Sequence, residues 1–166
     1  MDVTGTTKTL TKPFVLGPGE NRCDVAGDGW QIRFTGADTA GALSSGEGSV
    51  PPLHAGPPLH VHTNETELFF VLEGVLTVQV GEERFEVPAG GLAWLPPGIP
   101  HTFANLGDVP VRLSSVFTPA GLEEMFAERR AYFDSIQGPP DWNHVAVIEA
   151  RYGVRIAGPQ IPIPTR

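Results

Sequence analysis

The sequence predicts an all-β chain folded as an antiparallel barrel or sandwich, and three observations carry this. From Leu59 onward, "LHVH", "ELFFVL", "VLTVQV", "RFEV", "LAWL", "HTFAN" and "VRLSSVF" are short β-type runs. Between them stand "TNET", "EG", "GEE", "PAGG", "PPGIP" and "LGDVP", turn signals at a close, regular spacing that favours antiparallel pairing over βαβ units. The 166 residues include 20 Gly and 17 Pro, the residue types that tight turns require. This length suits one domain spanning residues 1–166, with a single core.

The elements follow in order. Residues 1–13 are polar and Thr-rich and read as an N-terminal arm. The barrel is expected over 30–118. It opens with "WQIRFTG" (Trp30–Gly36), which alternates large apolar and polar residues. A short strand is expected near Ala42–Glu47, then a Pro-rich loop leading to the main series of strands. After Pro119 the period changes, and 120–153 reads as a helical segment. In "GLEEMFAERRAYFDSI", Leu122, Met125, Phe126, Phe133 and Ile136 share one helical face, and the charged residues fall largely elsewhere. A second helix is expected from about Asp141, its N-cap, to Tyr152, with Gly153 as the stop. Residues 154–166 read as an extended, Pro-containing tail.

Eleven basic and 19 acidic residues give a net charge of −8, which argues against a nucleic-acid backbone or an anionic membrane as partner. The single cysteine, Cys23, permits neither an intramolecular disulfide nor a Cys-based structural zinc site. No apolar run has the length of a membrane span, and a cytoplasmic location is expected.

The chemistry concentrates in "GPPLHVHTNETELFF". Strand residues alternate faces, so His60 and His62 point the same way. The "TNET" turn can bring a glutamate beside them, and a later strand opens with His101 after the stiff "PPGIP" bend. Three imidazoles and one carboxylate are a mixed nitrogen and oxygen donor set for a divalent first-row metal.

These residues resemble the two motifs of the cupin family. The first, G-x5-H-x-H-x3-4-E-x6-G, is met by His60, His62, Glu67 and Gly74. Its leading glycine is displaced, since three residues separate Gly56 from His60. The spacing to Gly74 favours Glu67 over Glu65, which is left as a turn residue. The second, G-x5-P-x-G-x2-H-x3-N, is met by Gly90, Pro96, Gly98, His101 and Asn105. The resemblance implies a double-stranded β-helix, or jelly-roll barrel, with the two C-terminal helices packed outside. It implies His60, His62, Glu67 and His101 as metal ligands, and Asn105 as a structural hydrogen-bonding residue.

Four protein ligands on an octahedral ion leave two open positions, as catalysis or ligand capture requires. Fe, Mn, Ni or Co suits the set, and Zn suits it less well. With Glu67 and His101 inward, parity also turns Phe69, Val71 and Phe103 inward. Phe70 and Leu72 take the other face. Trp94 joins the candidate substrate wall although parity leaves its side open. His54, His144 and Cys23 receive no role.

"PPLHVHTNETELFFVLEG", "PPGIPHTFANLG", "FTPAGLEEMF" and "ARYGV" are similar to small single-domain cupins of the quercetinase-like group. That likeness implies a dioxygenase acting with O2 on a flavonol-like or other enolizable or phenolic aromatic substrate, with Glu67 as catalytic base. Two alternatives use the same fold: an oxygen-independent isomerase or cyclase with the metal as Lewis acid, and a non-catalytic small-ligand-binding cupin. A homodimer is expected from the same likeness.

Overall fold

The computed structural model describes residues 12–23 and 30–165. Most of the expected N-terminal arm, residues 1–11, lies outside the described residues. Among the described residues, eleven strands and two α-helices follow in chain order. They are β1 (Trp30–Phe34), β2 (Ser44–Val50), β3 (His54–Ala55), β4 (His60–His62), β5 (Thr66–Glu73), β6 (Val75–Val80), β7 (Glu83–Pro88), β8 (Leu92–Leu95), β9 (His101–Asn105), β10 (Val111–Thr118), α1 (Leu122–Ser135), α2 (Trp142–Arg151) and β11 (Val154–Ile156).

The strands form two antiparallel sheets, ordered β1-β2-β10-β5-β8 and β11-β4-β9-β6-β7, with β3 paired to β9. Apolar residues at every second position of β5, β6 and β10 fill the space between the sheets. Phe69, Val71, Leu76, Val78, Leu95, Phe103 and Leu113 are all buried in one cluster there. At about 1.5–3 kcal/mol for each large apolar side chain, this cluster outweighs any single polar contact in the barrel. The β5–β6 turn rests on Gly74, whose φ of +81° is strained for other residues. A Cβ there would also stand 2.9 Å from the Pro110 carbonyl oxygen.

Two local expectations need correction. The second strand runs Ser44–Val50 and not Ala42–Glu47, because it pairs along its full length with β10 from Ser44 to Val50. The tail is not simply extended: Val154–Ile156 adds an edge strand to β4, and Ile161 is buried. Glu123, an acidic residue in the first turn of α1, stands at the positive end of the helix dipole. It is buried at the start of α1, where its carboxylate accepts the Gly36 and Gly121 N–H groups at 2.7 and 2.8 Å. Those bonds hold the α1 N-terminus to the turn after β1.

The helices carry a second apolar cluster of Leu122, Met125, Ile148 and Val154, joined to the barrel by Phe117. Phe126 and Phe133 are half-buried, and Ile136 falls just past the helix end. In α2, Asp141 caps the N-terminus by accepting the Asn143 N–H at 2.9 Å. Gly153 follows the helix at a φ of +76°. No helix among the described residues is long and apolar enough to cross a membrane.

Candidate metal centre

Four buried side chains converge between the sheets. His60 and His62 lie on one face of β4, and His101 opens β9 directly opposite His60 in the antiparallel register. Glu67 comes from β5, in the other sheet. One sheet therefore supplies three imidazoles, and the facing sheet supplies the carboxylate. The three rings stand 4.7–5.0 Å apart, centroid to centroid. Glu67 Oε2 is 3.3 Å from His101 Nε2 and 3.8 Å from His62 Nε2.

The loops before each strand aim two of the rings. His60 Nδ1 lies 2.8 Å from the Pro58 carbonyl, and His101 Nδ1 lies 2.9 Å from the Ile99 carbonyl. A carbonyl only accepts, so both Nδ1 atoms carry hydrogen. In each case a proline-stiffened segment holds the carbonyl two residues before its histidine. Gly98, with a φ of +81°, makes the bend, and its N–H donates to the His62 carbonyl at 2.8 Å, tying the two histidine strands together.

Burial dominates the electrostatics. Desolvation, with repulsion from His101, pushes the His60 imidazole down to about 4, against the hydrogen bond it donates to the Pro58 carbonyl. Desolvation and repulsion from His60 and His101 push His62 down to about 3. Neutral imidazoles are the form that ligates metals. Burial raises the Glu67 carboxyl, with His101 pulling the other way. For His101 desolvation acts downward, but the hydrogen bond and charge of Glu67 outweigh it and the net shift is upward.

The donor set fits a divalent first-row ion. One ligand atom from each of the four residues lies within 4.8 Å of all the others, and every one of these residues is buried. Donors at about 2.1 Å from a shared ion stand about 3–4 Å apart, which brackets the Glu67 distances. Nothing in the set distinguishes among the first-row metals.

The other expected residues are placed as follows. Phe69 and Phe103 sit one step deeper along the same strand faces as Glu67 and His101, with their rings edge-to-face at 5.3 Å. Val71 lies one step beyond Phe69, in the core cluster. Phe70 and Leu72 are on the outer face and exposed. Trp94 requires correction. It pairs with Leu68 on the outer side of the sheet and is 63% exposed, so it is no part of an inner wall. Asn105 is buried, donates to the Val50 and Val109 carbonyls at 3.0 and 2.8 Å, and accepts the Gly107 N–H at 3.0 Å. His54 and His144 are exposed and outside the cluster. The half-buried Cys23 thiol faces the Ile32 carbonyl at 3.5 Å.

Two residues beside the cluster escaped sequence reasoning. Phe117 pairs with Glu67 across β10–β5, and its ring lies parallel to His62 at 6.4 Å, with Phe126 of α1 behind it at 5.8 Å. The alternation of "VRLSSVF" gave Phe117 an apolar face without saying what it would meet. Glu65, expected as a turn residue, is 7% exposed and faces His62 from the side away from Glu67. Desolvation raises its carboxyl, partly offset by backbone N–H groups.

Residues 46–117 match a family model described as the cupin domain, a span that contains all four donors and most of both sheets. An uncharacterized protein of Methanocaldococcus jannaschii, MJ1618, is 32% identical over 65 residues, which cover 39% of this chain and 52% of the relative. The chain thus spans about half the length of the curated relative it matches. Among solved structures, KdgF from Halomonas sp. superposes with a TM-score of 0.51 at 17% identity, over 61% of this chain and 90% of that one. A cupin protein (BF4112) from Bacteroides fragilis gives 0.50 at 18% identity, over 74% and 92%. At these identities the structural matches speak for the fold alone.

Proposed function

We propose that this cupin-superfamily chain is a metal-dependent enzyme that holds one divalent first-row ion through His60, His62, Glu67 and His101. Its proposed reaction is dioxygenation of a flavonol-like or other enolizable aromatic substrate. The observation that carries the reading is the buried convergence of three imidazoles from one sheet on a carboxylate from the other.

The donor arithmetic points to the substrate class. Three neutral imidazoles and one carboxylate leave a 2+ ion with a net charge of about +1, which favours an anionic oxygen such as an enolate or phenolate. When bound, the ion supplies a Lewis acid that acidifies a hydroxyl in contact with it. Glu67 is the group placed to receive that proton, since it is the one carboxylate among the four donors. The neighbouring rings suit a flat molecule. Phe117 stacks on His62, Phe126 backs Phe117, and Phe69 and Phe103 lie one step deeper.

The test uses metal-free protein reconstituted separately with Fe, Mn, Ni and Co. Each form is incubated with a flavonol such as quercetin, with and without oxygen. Dioxygenation requires a red-shifted flavonol band on binding and one O2 consumed per substrate. Full turnover under strict anaerobiosis would replace this reading with an isomerase or cyclase. A shifted band with no product in either gas would leave a ligand-binding protein.

A further inference from the structure

The three histidines of the cluster are not held alike. His60 and His101 each give Nδ1–H to the carbonyl two residues earlier, at 2.8 and 2.9 Å. His62 has no such loop behind it, because the residue two positions earlier is His60, on the same strand. Its Nδ1 is buried and lacks a hydrogen-bond partner. The nearest carboxylate oxygen is Glu65 Oε2, 4.0 Å away, and that oxygen is likewise buried without a partner.

Two buried polar atoms that face each other without partners are costly unless they pair. A separation of 4.0 Å exceeds hydrogen-bond length but is too short for a bridging water. A hydrogen bond between them needs Glu65 Oε2 about 1 Å nearer the ring. The opposite ring nitrogen, Nε2, faces Glu67 at 3.8 Å. The His62 ring therefore stands between two carboxylates, one at each nitrogen.

We infer that Glu65 is a positioning residue. It takes the His62 Nδ1–H and so fixes the tautomer that leaves the Nε2 lone pair directed at His60, Glu67 and His101. It does for His62 what the Pro58 and Ile99 carbonyls do for the other two rings, and its negative charge makes Nε2 a stronger donor. The turn that carries Glu65 is thus part of the site. The consequence for metal affinity rests on the metal-binding part of the reading above, but the tautomer does not.

Two measurements separate these. The first is the His62 tautomer in metal-free protein at pH 8, read from long-range proton–nitrogen NMR correlations. The wild type is expected to carry hydrogen on Nδ1, and Glu65→Ala to shift toward Nε2–H. Glu65→Gln, whose amide oxygen still accepts, is expected to keep the wild-type pattern. Nε2–H in the wild type, or a pattern unchanged in Glu65→Ala, overturns the inference. The second is affinity for Co(II) by competition with a chelating dye. Glu65→Ala is expected to bind about 10–100-fold more weakly, and Glu65→Gln to recover most of that loss. Wild-type affinity in Glu65→Ala, alongside complete loss in His62→Ala, also overturns it. A wild type that binds no metal yet shows the Glu65-dependent tautomer defeats the metal reading and leaves the role of Glu65 standing.

Discussion

Replacing Asn105 by Ala should destabilise the barrel by about 3 kcal/mol. The side chain makes three hydrogen bonds from a position 1% exposed, reaching the end of β2 through Val50 and the β9–β10 turn through Val109 and Gly107. The Val50 carbonyl is left in a buried environment, and an unsatisfied buried acceptor costs about 1–3 kcal/mol. The other two partners lie nearer water and regain part of their loss, at about 0.5–1 kcal/mol each. For a chain of this size, 3 kcal/mol is a fall of about 6–12 °C in Tm. Urea unfolding, followed by tryptophan fluorescence and circular dichroism, measures the change, and the m-value should stay constant. Asn105→Asp sharpens the test. It keeps the acceptor for Gly107 but replaces the Nδ2 amide group with an oxygen that faces both carbonyl oxygens, so it should be at least as destabilised as the alanine variant. Metal content at 20 °C should survive in both, because Asn105 is not one of the four donors. A loss below 1 kcal/mol in Asn105→Ala, or an aspartate variant as stable as wild type, would refute this account of the residue.

Gly56→Ala should cost more than 2 kcal/mol, because the new Cβ would lie 2.4 Å from the Phe103 carbonyl oxygen that Gly56 N–H now bonds at 3.0 Å. Gly98→Ala meets no atom within 4 Å and should cost only about 1 kcal/mol for its positive φ; equal thermal melts for the two would contradict the difference. Phe117→Ala, at a site 3% exposed, should lose about 3–5 kcal/mol and weaken binding of an aromatic ligand. Trp94→Ala should leave metal content and ligand affinity unchanged, and a matching effect of the two on ligand titrations would restore Trp94 to the site. Metal-free protein should lose stability as pH falls from 7 to 5, since unfolded histidines charge below about 6.5 while His60 and His62 stay neutral to about 4 and 3. At pH 5 each of these imidazoles contributes a loss of about 2 kcal/mol, offset in part by the raised Glu67 and His101. Urea unfolding of His62→Gln should therefore show a smaller fall than wild type, and an equal or larger fall would show that His62 is not held neutral.

The three histidines were legible because their placement is partly local, and Glu67 was favoured over Glu65 by the spacing to Gly74 in the cupin motif that the sequence resembles. Period-2 alternation puts His60 and His62 on one face whatever the strand pairs with, and the proline-glycine bend before His101 limits where the chain can re-enter the barrel. The helix caps were legible for the same reason, since Asp141 and Gly153 act within a turn of their own helix. Trp94 was not, because "LAWL" is apolar at every position and alternation has nothing to mark an inner side.

The sequence by itself determined an all-β chain followed by two helices, and named three imidazoles with Glu67 as a potential donor set. Only the tertiary structure decided which sheet each donor comes from, that Phe117 stacks on His62, that the tail pairs with β4, and that Glu65 is buried beside a histidine. The physical reason is common to all four. Spacing along a strand states which residues share a face, but what covers that face is set by segments up to about a hundred residues away, through register and burial that no local pattern encodes.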